Sequence, residues 1–132
     1  MTDSVSFPWT DERSKFDFQL KQGKAREHEH ARMQLYGKFE VKSETYYWER
    51  TGNVAIEYEC NGKPSGIAVT DAQWWTHHLG TTDGETVTWL TVPVERMKRL
   101  ARQAIRDKRF RIGGDGKRTK FALVRIKDIV RP

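Results

Sequence analysis

Two stretches of the chain alternate apolar with charged residues, which is typical of half-buried β-strands. They span residues 39–44 and 54–59, and a turn signal at Gly52 and Asn53 lies between them. Successive side chains of a strand point to opposite faces, so the charged residues of each stretch should share one face. The pattern therefore predicts two strands, each with one apolar and one charged face.

Pairing of these strands as a hairpin, with both apolar faces on one core, would bring their charged side chains together. Those side chains are Glu40, Lys42 and Glu44 in the first strand and Glu57 and Glu59 in the second. Carboxylates are hard oxygen ligands for a divalent cation, and phosphodiester hydrolysis needs such ligands beside an amine. A solvated sheet face with cross-strand Lys–Glu pairs shows the same alternation. The pattern alone leaves both interpretations open.

The rest of the chain completes an order of helix, strand, strand, helix, strand, helix, strand. We expect the first helix from about residue 21 or 23 to 35, ended by Gly37, after an N-terminal arm over residues 1–16. Thr70, with a glutamine three residues later, has the form of a capping box and predicts a helix through Trp74 and Trp75.

Three further elements are predicted in the C-terminal half. Strands are expected over residues 86–92 and 121–126, and a helix over residues 94–108. The helix has apolar residues at i, i+3, i+4, i+7 and i+8, which is the clearest helical period in the chain. Its apolar stripe consists of Met97, Leu100, Ala101, Ala104 and Ile105.

The length of the chain, 132 residues, suffices for one domain with a real core but not for two. We therefore expect residues 1–132 to form a single α/β or α+β domain. The single cysteine, Cys60, excludes an intrachain disulfide and a cysteine-rich zinc site, and it fits a reducing cytoplasm. No apolar run approaches the roughly 20 residues of a membrane span, and residues 1–15 lack the apolar core of a signal peptide. A cytoplasmic protein without membrane contact is expected.

Positive charge is concentrated in residues 95–132, the predicted basic helix and last strand. This segment carries 14 basic and 4 acidic residues, whereas residues 1–94 carry 10 basic and 14 acidic ones. The asymmetry favours a polyanionic partner, and we expect a nucleic acid rather than a generic basic tail. The basic residues expected to contact phosphates are Arg99, Arg102, Arg106, Arg109, Arg111, Lys117, Arg118 and Lys120. Lys63, Ser65 and the start of the Thr70 helix could hold another phosphate, and an ordinary capped loop explains them equally well.

The triplet Glu40-Val41-Lys42 resembles the acid-x-lysine motif of the PD-(D/E)xK nuclease superfamily. The surrounding chain, about residues 16–130, is similar to small phage-type nucleases of that superfamily, including Holliday-junction-resolvase relatives. The other matching features are a helix bearing Glu27, Thr51-Gly52-Asn53 before Glu57-Tyr58-Glu59, Lys63-Pro64-Ser65-Gly66-Ile67, and Gly113-Gly114-Asp115.

The resemblance implies a restriction-endonuclease-like core, a central mixed β-sheet flanked by helices. It also implies an Mg²⁺- or Mn²⁺-dependent endonuclease that hydrolyses DNA phosphodiester bonds in a bacterial or phage-encoded setting. A branched or junction DNA substrate would further imply a homodimer with two active sites.

The superfamily usually carries an aspartate on the strand before the acid-x-lysine strand, and no strand fits between the first helix and Glu40. In one interpretation Glu40 and Lys42 keep the family roles, and Glu57 supplies the missing carboxylate. In the other, Glu40 is the isolated acid and the segment Glu57-x-Glu59 is the catalytic strand. We favour the first, with Lys42, Glu40 and Glu57 catalytic and Glu27, Glu40 and Glu57 as metal ligands, and Glu59 as an additional candidate.

Two alternatives of other classes follow from the same residues. The missing aspartate is compatible with a non-catalytic nucleic-acid-binding or phage regulatory protein on the same scaffold. The aromatic segment Tyr46-Tyr47-Trp48 is compatible with a protein that docks on another protein without contacting DNA.

Overall fold

The computed structural model describes the backbone of residues 10–132 and the side chains from Lys15 onward. The chain divides into two compact units, residues 1–37 and residues 38–132. The first contains one long helix, and the second combines mixed β-structure with flanking helices. The expected α+β class is confirmed.

Helix α1 (Thr10–Tyr36) is longer than the sequence pattern predicts. Its N-terminal turns cover part of the predicted arm, whose residues 1–9 lie outside the described chain. Almost all of its described side chains are exposed, and Arg26 and Glu29 form an ion pair on its surface. The apolar residues of α1 do not form a stripe on one face, so periodicity does not reveal where the helix begins.

The second unit contains seven strands and three helices. The strands are β1 (Phe39–Glu44), β2 (Asn53–Cys60), β3 (Lys63–Pro64), β4 (Trp74–Gly80), β5 (Thr86–Pro93), β6 (Phe110–Gly113) and β7 (Thr119–Arg125). The helices are α2 (Tyr47–Thr51), α3 (Val94–Arg106) and α4 (Ile126–Ile129), and short 3₁₀ turns cover Gly66–Ala68 and Asp115–Lys117. One sheet has the order β1-β4-β5 and the other β3-β2-β7-β6.

The predicted β1–β2 hairpin is wrong, although both strands lie where the alternation places them. Strand β1 pairs in parallel with β4, and β2 pairs antiparallel with β7 and β3. Helix α2 lies between β1 and β2 in the chain, and Gly52 ends it in the left-handed conformation. The two strands therefore belong to different sheets.

The predicted helix after Thr70 is also wrong, because Trp74–Gly80 forms the strand β4. The Thr70 hydroxyl oxygen accepts a hydrogen bond from the backbone N–H of Ala72 at 3.2 Å. This is a local turn that uses the same chemistry as a helix cap without starting a helix. A phosphate site at the start of a Thr70 helix therefore has no structural basis.

Helix α3 covers one face of the four-stranded sheet and confirms the predicted amphipathic helix. Its Met97, Ala101 and Ala104 are buried in one core cluster with Ile56 of β2 and Val124 of β7. Because side chains alternate along a strand, the residues next to Ile56 and Val124 point to the opposite face of this sheet.

Candidate functional site

On β1 the apolar Val41 faces solvent and the charged Glu44 faces inward, the reverse of the sequence expectation, while the side chains of Glu40 and Lys42 are 39% and 41% exposed. Val41 is 53% exposed, whereas the side chain of Glu44 is only 16% exposed. In the parallel pairing, Lys42 lies opposite His77, which is buried. Charged side chains on an inner face need partners or a ligand, because burial of an unpaired charge is costly.

The Lys42 amine is held in place by Glu40 and an aromatic ring. Its Nζ lies 3.2 Å from Glu40 Oε2 and 5.7 Å from the ring centroid of Trp75. The other Glu40 oxygen accepts a 3.4 Å hydrogen bond from the Thr70 hydroxyl. Glu40 therefore positions Lys42 and is itself held by the loop before β4.

A cleft of about 360 Å³ lies where β1, α2 and β2 approach one another. We call it the carboxylate cleft. Its chemically distinctive lining residues are Lys42, Glu44, Tyr47, Glu57, Trp75 and Phe121. Two of the three predicted catalytic residues, Lys42 and Glu57, thus share one cleft, and Glu40 adjoins it through its contact with Lys42.

Glu57 is a half-buried carboxylate that makes no ion pair or side-chain hydrogen bond with the described residues. Its backbone is fixed by a close approach of the 3₁₀ turn that follows β3. A Cβ at Gly66 would lie only 2.2 Å from the Glu57 carbonyl oxygen, and Gly66 has φ +54°. Only glycine fits at this position, so the turn positions the strand that presents Glu57.

Glu44 belongs to a buried polar network that the sequence analysis did not assign to the site. Its Oε2 accepts a 3.1 Å hydrogen bond from the Ala55 N–H and lies 3.0 Å from His77 Nδ1. The Trp75 indole N–H donates to His77 Nε2 at 2.9 Å, which places the proton of a neutral imidazole on Nδ1, beside Glu44. Nδ1 nevertheless has no aligned hydrogen bond within the described residues.

Arg111 supplies positive charge at the rim of the carboxylate cleft. Its guanidinium carbon lies 5.5 Å from the Tyr47 ring centroid and 5.7 Å from that of Phe121, and both rings line the cleft. Stacking on two rings orients a guanidinium without neutralising it. Arg111 is therefore a predicted nucleic-acid-binding residue at the edge of the carboxylate cleft.

Glu57 and Glu59 lie on opposite faces of β2, contrary to the sequence expectation. Glu57 pairs with Phe121 and Glu59 with Lys120, and the register shifts between them. A β-bulge of this kind adds one residue and reverses the facing of those beyond it. Glu59 instead forms a 3.1 Å ion pair with Lys120. The alternative catalytic segment Glu57-x-Glu59 therefore does not present both acids to one cleft.

A second cleft, of about 460 Å³, lies along α3, the end of β7 and α4. We call it the arginine cleft. Seven arginines line it, with Asp128 as the one acidic residue: Arg96, Arg99, Arg102, Arg106, Arg109, Arg125 and Arg131. Val124 also lines it and faces α3. The two clefts therefore lie on opposite faces of the four-stranded sheet.

The arginines of the arginine cleft lower the pKa of Asp128. A hydrogen bond from Arg125 lowers the pKa of its carboxyl below the ordinary value, and the charges of Arg109 and Arg131 act in the same direction. The Arg125 Nε atom lies 2.8 Å from Asp128 Oδ2. Elsewhere, a hydrogen bond from Lys38 lowers the pKa of the exposed Asp71.

Three of the four remaining predicted nucleic-acid contacts are exposed, and the fourth, Ser65, has a buried side-chain hydroxyl. Lys63 lies on β3 and is exposed, and the backbone N–H of Ser65 donates to the Tyr58 carbonyl. Lys117 and Arg118 are exposed in and after the second 3₁₀ turn. These residues belong to neither cleft and remain predictions.

The predicted metal ligands do not form a group of three in the described chain. No three His, Cys, Asp or Glu side chains among the described residues are arranged to hold a metal ion. Glu27 lies on α1, in the other compact unit, with its side chain exposed. Glu44 and Glu57 are two carboxylates in one cleft, which suits Mg²⁺ completed by substrate phosphate and water.

Glu44 was placed by the sequence analysis among the charged side chains of β1 but was assigned no catalytic or metal-binding role, although its position in the strand was a readable signal. It continues the alternation of Glu40 and Lys42 on β1, so it shares their face. The sequence contains no pattern that places His77 in the site, because its position opposite Lys42 depends on the parallel pairing of β1 with β4.

Comparison with known proteins found no matching family model, no matching curated protein and no matching solved structure. No helix in the described part of the chain is both long and apolar enough to span a membrane. The function of the chain therefore has to follow from the chemistry of its own residues.

Proposed function

We propose that this chain is a metal-dependent deoxyribonuclease whose active site is the carboxylate cleft. The observation that carries the proposal is the half-buried Glu57, which has no partner among the described residues and shares a cleft with Lys42 and Glu44. A carboxylate kept out of full solvent without a counterion is costly for stability, so a bound cation or proton donor explains it better than packing does.

The carboxylate oxygens of the cleft are suitable ligands for a hard divalent cation. Glu57 and Glu44 would hold Mg²⁺ or Mn²⁺ together with phosphate oxygens of the substrate, and Glu40 and Glu27 remain predicted ligands. The metal would polarise the scissile phosphate and lower the pKa of a water. This is the chemistry that two carboxylates and an amine in one cleft can support.

The protein side chains supply orientation and charge. The Lys42 ammonium, positioned by Glu40, would stabilise negative charge that develops on the phosphate in the transition state. Arg111, at the rim, would hold a neighbouring phosphate. In the hydrolysis a water oxygen bonds to phosphorus while a carboxylate of the cleft accepts the water proton; the bond from phosphorus to the ester oxygen breaks, and the ester oxygen leaves as an alcohol when the carboxylic acid or solvent returns a proton to it.

Lys42 and Arg111 would contact the phosphate backbone of DNA, and nothing in the cleft resembles a base-reading motif. Preference for DNA shape, including branched or junction DNA bound by a homodimer, is the corresponding expectation. A DNA substrate and a single cysteine, Cys60, both fit a protein of the cytoplasm.

Cleavage of supercoiled plasmid in the presence of Mn²⁺ or Mg²⁺ tests the proposal. We expect Glu57→Gln and Lys42→Ala each to reduce the cleavage rate by about 100-fold or more, the usual effect of removing one transition-state contact. Glu49→Gln removes an exposed acid of α2 that does not line the cleft and should cut like the unaltered protein. Cleavage that Glu57→Gln and Lys42→Ala leave intact would contradict the proposal.

The second candidate is a nucleic-acid-binding protein without catalysis. It is favoured by the arginine cleft, whose seven arginines suit a phosphate backbone. The same experiment separates the two functions, because this candidate predicts salt-sensitive DNA binding with no cleavage under any divalent cation.

A further inference from the structure

The arginine cleft has seven arginines and one acidic residue, so most of its positive charge has no counterion within the cleft. Helix α3 contributes four of its seven arginines, and Asp128 is the one acid that lines it. Like charges at this density repel one another, so the folded protein carries a cost that a bound anion would relieve.

Four of the arginines have structural partners. Arg96 donates to the backbone carbonyls of Asp128, Ile129 and Arg131, and so caps the C-terminal end of α4. Arg109 donates to the Leu123 carbonyl and to Asp107. Arg125 and Arg131 form ion pairs with Asp128. These contacts fix one wall of the cleft.

The other three arginines make no hydrogen bond or ion pair with the described residues. They are Arg99, Arg102 and Arg106, at i, i+3 and i+7 on α3, so they lie along one face of the helix. All three are exposed. Capping of α4 explains Arg96 but none of these three, and their guanidiniums retain their full capacity to donate hydrogen bonds.

The choice of arginine indicates the kind of anion. A guanidinium presents paired N–H donors that match two oxygens of one phosphate, whereas lysine acts as a point charge. No lysine lines the cleft, although Lys98, Lys108 and Lys127 lie on or beside the same elements. The volume of this open cleft, about 460 Å³, is in the range of small-molecule sites.

We propose that the arginine cleft is a separate anion-binding site for a ligand with closely spaced phosphate groups, recognised by Arg99, Arg102 and Arg106. Because the four-stranded sheet lies between this cleft and the carboxylate cleft, the ligand is not the phosphate undergoing reaction at Glu57. The phosphates could come from a free polyphosphate or from a nucleic-acid backbone, and the two sources share this chemistry. The inference does not rest on nuclease activity.

Titration calorimetry in EDTA tests the site without any cleavage, with inorganic tripolyphosphate in one arm and a short DNA duplex in the other. The variant Arg99→Gln/Arg106→Gln removes two of the unpartnered guanidiniums from exposed helix positions. The control Lys108→Gln/Lys127→Gln removes the same charge from exposed residues that do not line the cleft. Thermal unfolding of both variants verifies that each is folded.

We expect the arginine variant to bind at least one of the two ligands about tenfold more weakly or worse, because charge-assisted hydrogen bonds are lost. The lysine control should change affinity by less than about threefold, since exposed charges outside the site are screened. Weakened tripolyphosphate binding identifies a free polyphosphate site, and an effect confined to the duplex identifies the nucleic-acid backbone. Equal affinity losses in both variants, or no binding of either ligand to the unaltered protein, would overturn the inference.

Discussion

The carboxylate cleft and the arginine cleft use opposite faces of the same four-stranded sheet. Phe121, on β7, lines the first cleft. Val124 is three residues later and therefore on the opposite face of the same strand, and it lines the second cleft. Glu57 remains unpaired among the described residues, as do the three free arginines of α3. On one face these groups would neutralise one another as ion pairs. The sheet keeps opposite charges apart, and both sites stay available for ligands.

The two clefts are also held in place by different means. Close backbone packing at Gly66 positions Glu57, whereas guanidinium contacts with backbone carbonyls, such as those of Arg96, fix the wall of the arginine cleft. Substitutions that remove space should therefore damage the carboxylate cleft most. Substitutions that remove a guanidinium bound to backbone carbonyls should lower the free energy of unfolding through the arginine cleft.

The largest effect is expected from Gly66→Ala. The added Cβ would lie 2.2 Å from the Glu57 carbonyl oxygen, so the turn or the strand must move. We expect the free energy of unfolding, measured by urea titration, to fall by more than about 2 kcal/mol. Gly62 has φ +77° and open space around it, so Gly62→Ala should cost only about 1 kcal/mol. Equal losses for the two variants would show that the close approach is not important.

A smaller loss is expected from His77→Leu, which removes the centre of the network behind the carboxylate cleft. His77 is 1% exposed, and its loss leaves the Trp75 indole N–H and the Glu44 carboxylate without this partner. An unsatisfied buried polar group costs about 1–3 kcal/mol. A double-mutant cycle with Glu44→Gln measures the coupling, and additive losses would indicate that His77 and Glu44 do not interact.

The sequence predicted those helices and strands that bury one face and therefore repeat apolar residues at a regular spacing. Helix α3 was located correctly because Met97, Ala101 and Ala104 all face the core, and strands β1 and β2 because their residues alternate. Alternation does not identify which strand is the partner. Lys42 and Glu57, which the sequence analysis expected on one charged surface, do line one cleft, but the hairpin that was expected to bring them together does not exist.

Other features depend on tertiary context that no local pattern carries. The turn at Thr70 has the hydrogen-bonding chemistry of a helix cap, yet the bulky and β-branched residues that follow, Trp74, Trp75 and Thr76, favour a strand once β1 and β5 are available for pairing. The bulge that turns Glu59 away from Glu57 depends on the register with β7. The arginines of α3 were visible in the sequence, but the cleft they line was not.

Within the arginine cleft, Arg96→Gln and Arg99→Gln should separate structural from ligand-binding arginines. Arg96 donates to carbonyls at the end of α4, so its loss should lower the free energy of unfolding by about 1 kcal/mol. Arg99 has no partner among the described residues, and its loss should change stability by less than about 0.5 kcal/mol. Urea titration of the two variants gives the comparison, and a larger loss for Arg99→Gln would contradict the division.

The smallest expected effect is a loss of stability at low pH, which should arise from Asp128 in the arginine cleft. The Arg125 hydrogen bond holds the pKa of the Asp128 carboxyl below its ordinary value of 3.8 in the folded protein. On acidification the unfolded chain therefore takes up this proton first. The stability that Asp128 contributes is complete above its unfolded pKa and is lost as pH falls through the folded pKa.

The variant Asp128→Asn makes this contribution measurable. At neutral pH we expect it to unfold at a lower urea concentration than the unaltered protein, because Arg125 and the other arginines lose their counterion. The difference in the free energy of unfolding should begin to shrink below about pH 4, where the unfolded chain takes up the proton, and should disappear once the pH has fallen below the lowered pKa of Asp128 in the folded protein. A difference that stays constant or grows in acid would mean that Asp128 does not stabilise the fold through its charge, and that the cleft tolerates its arginines without a counterion.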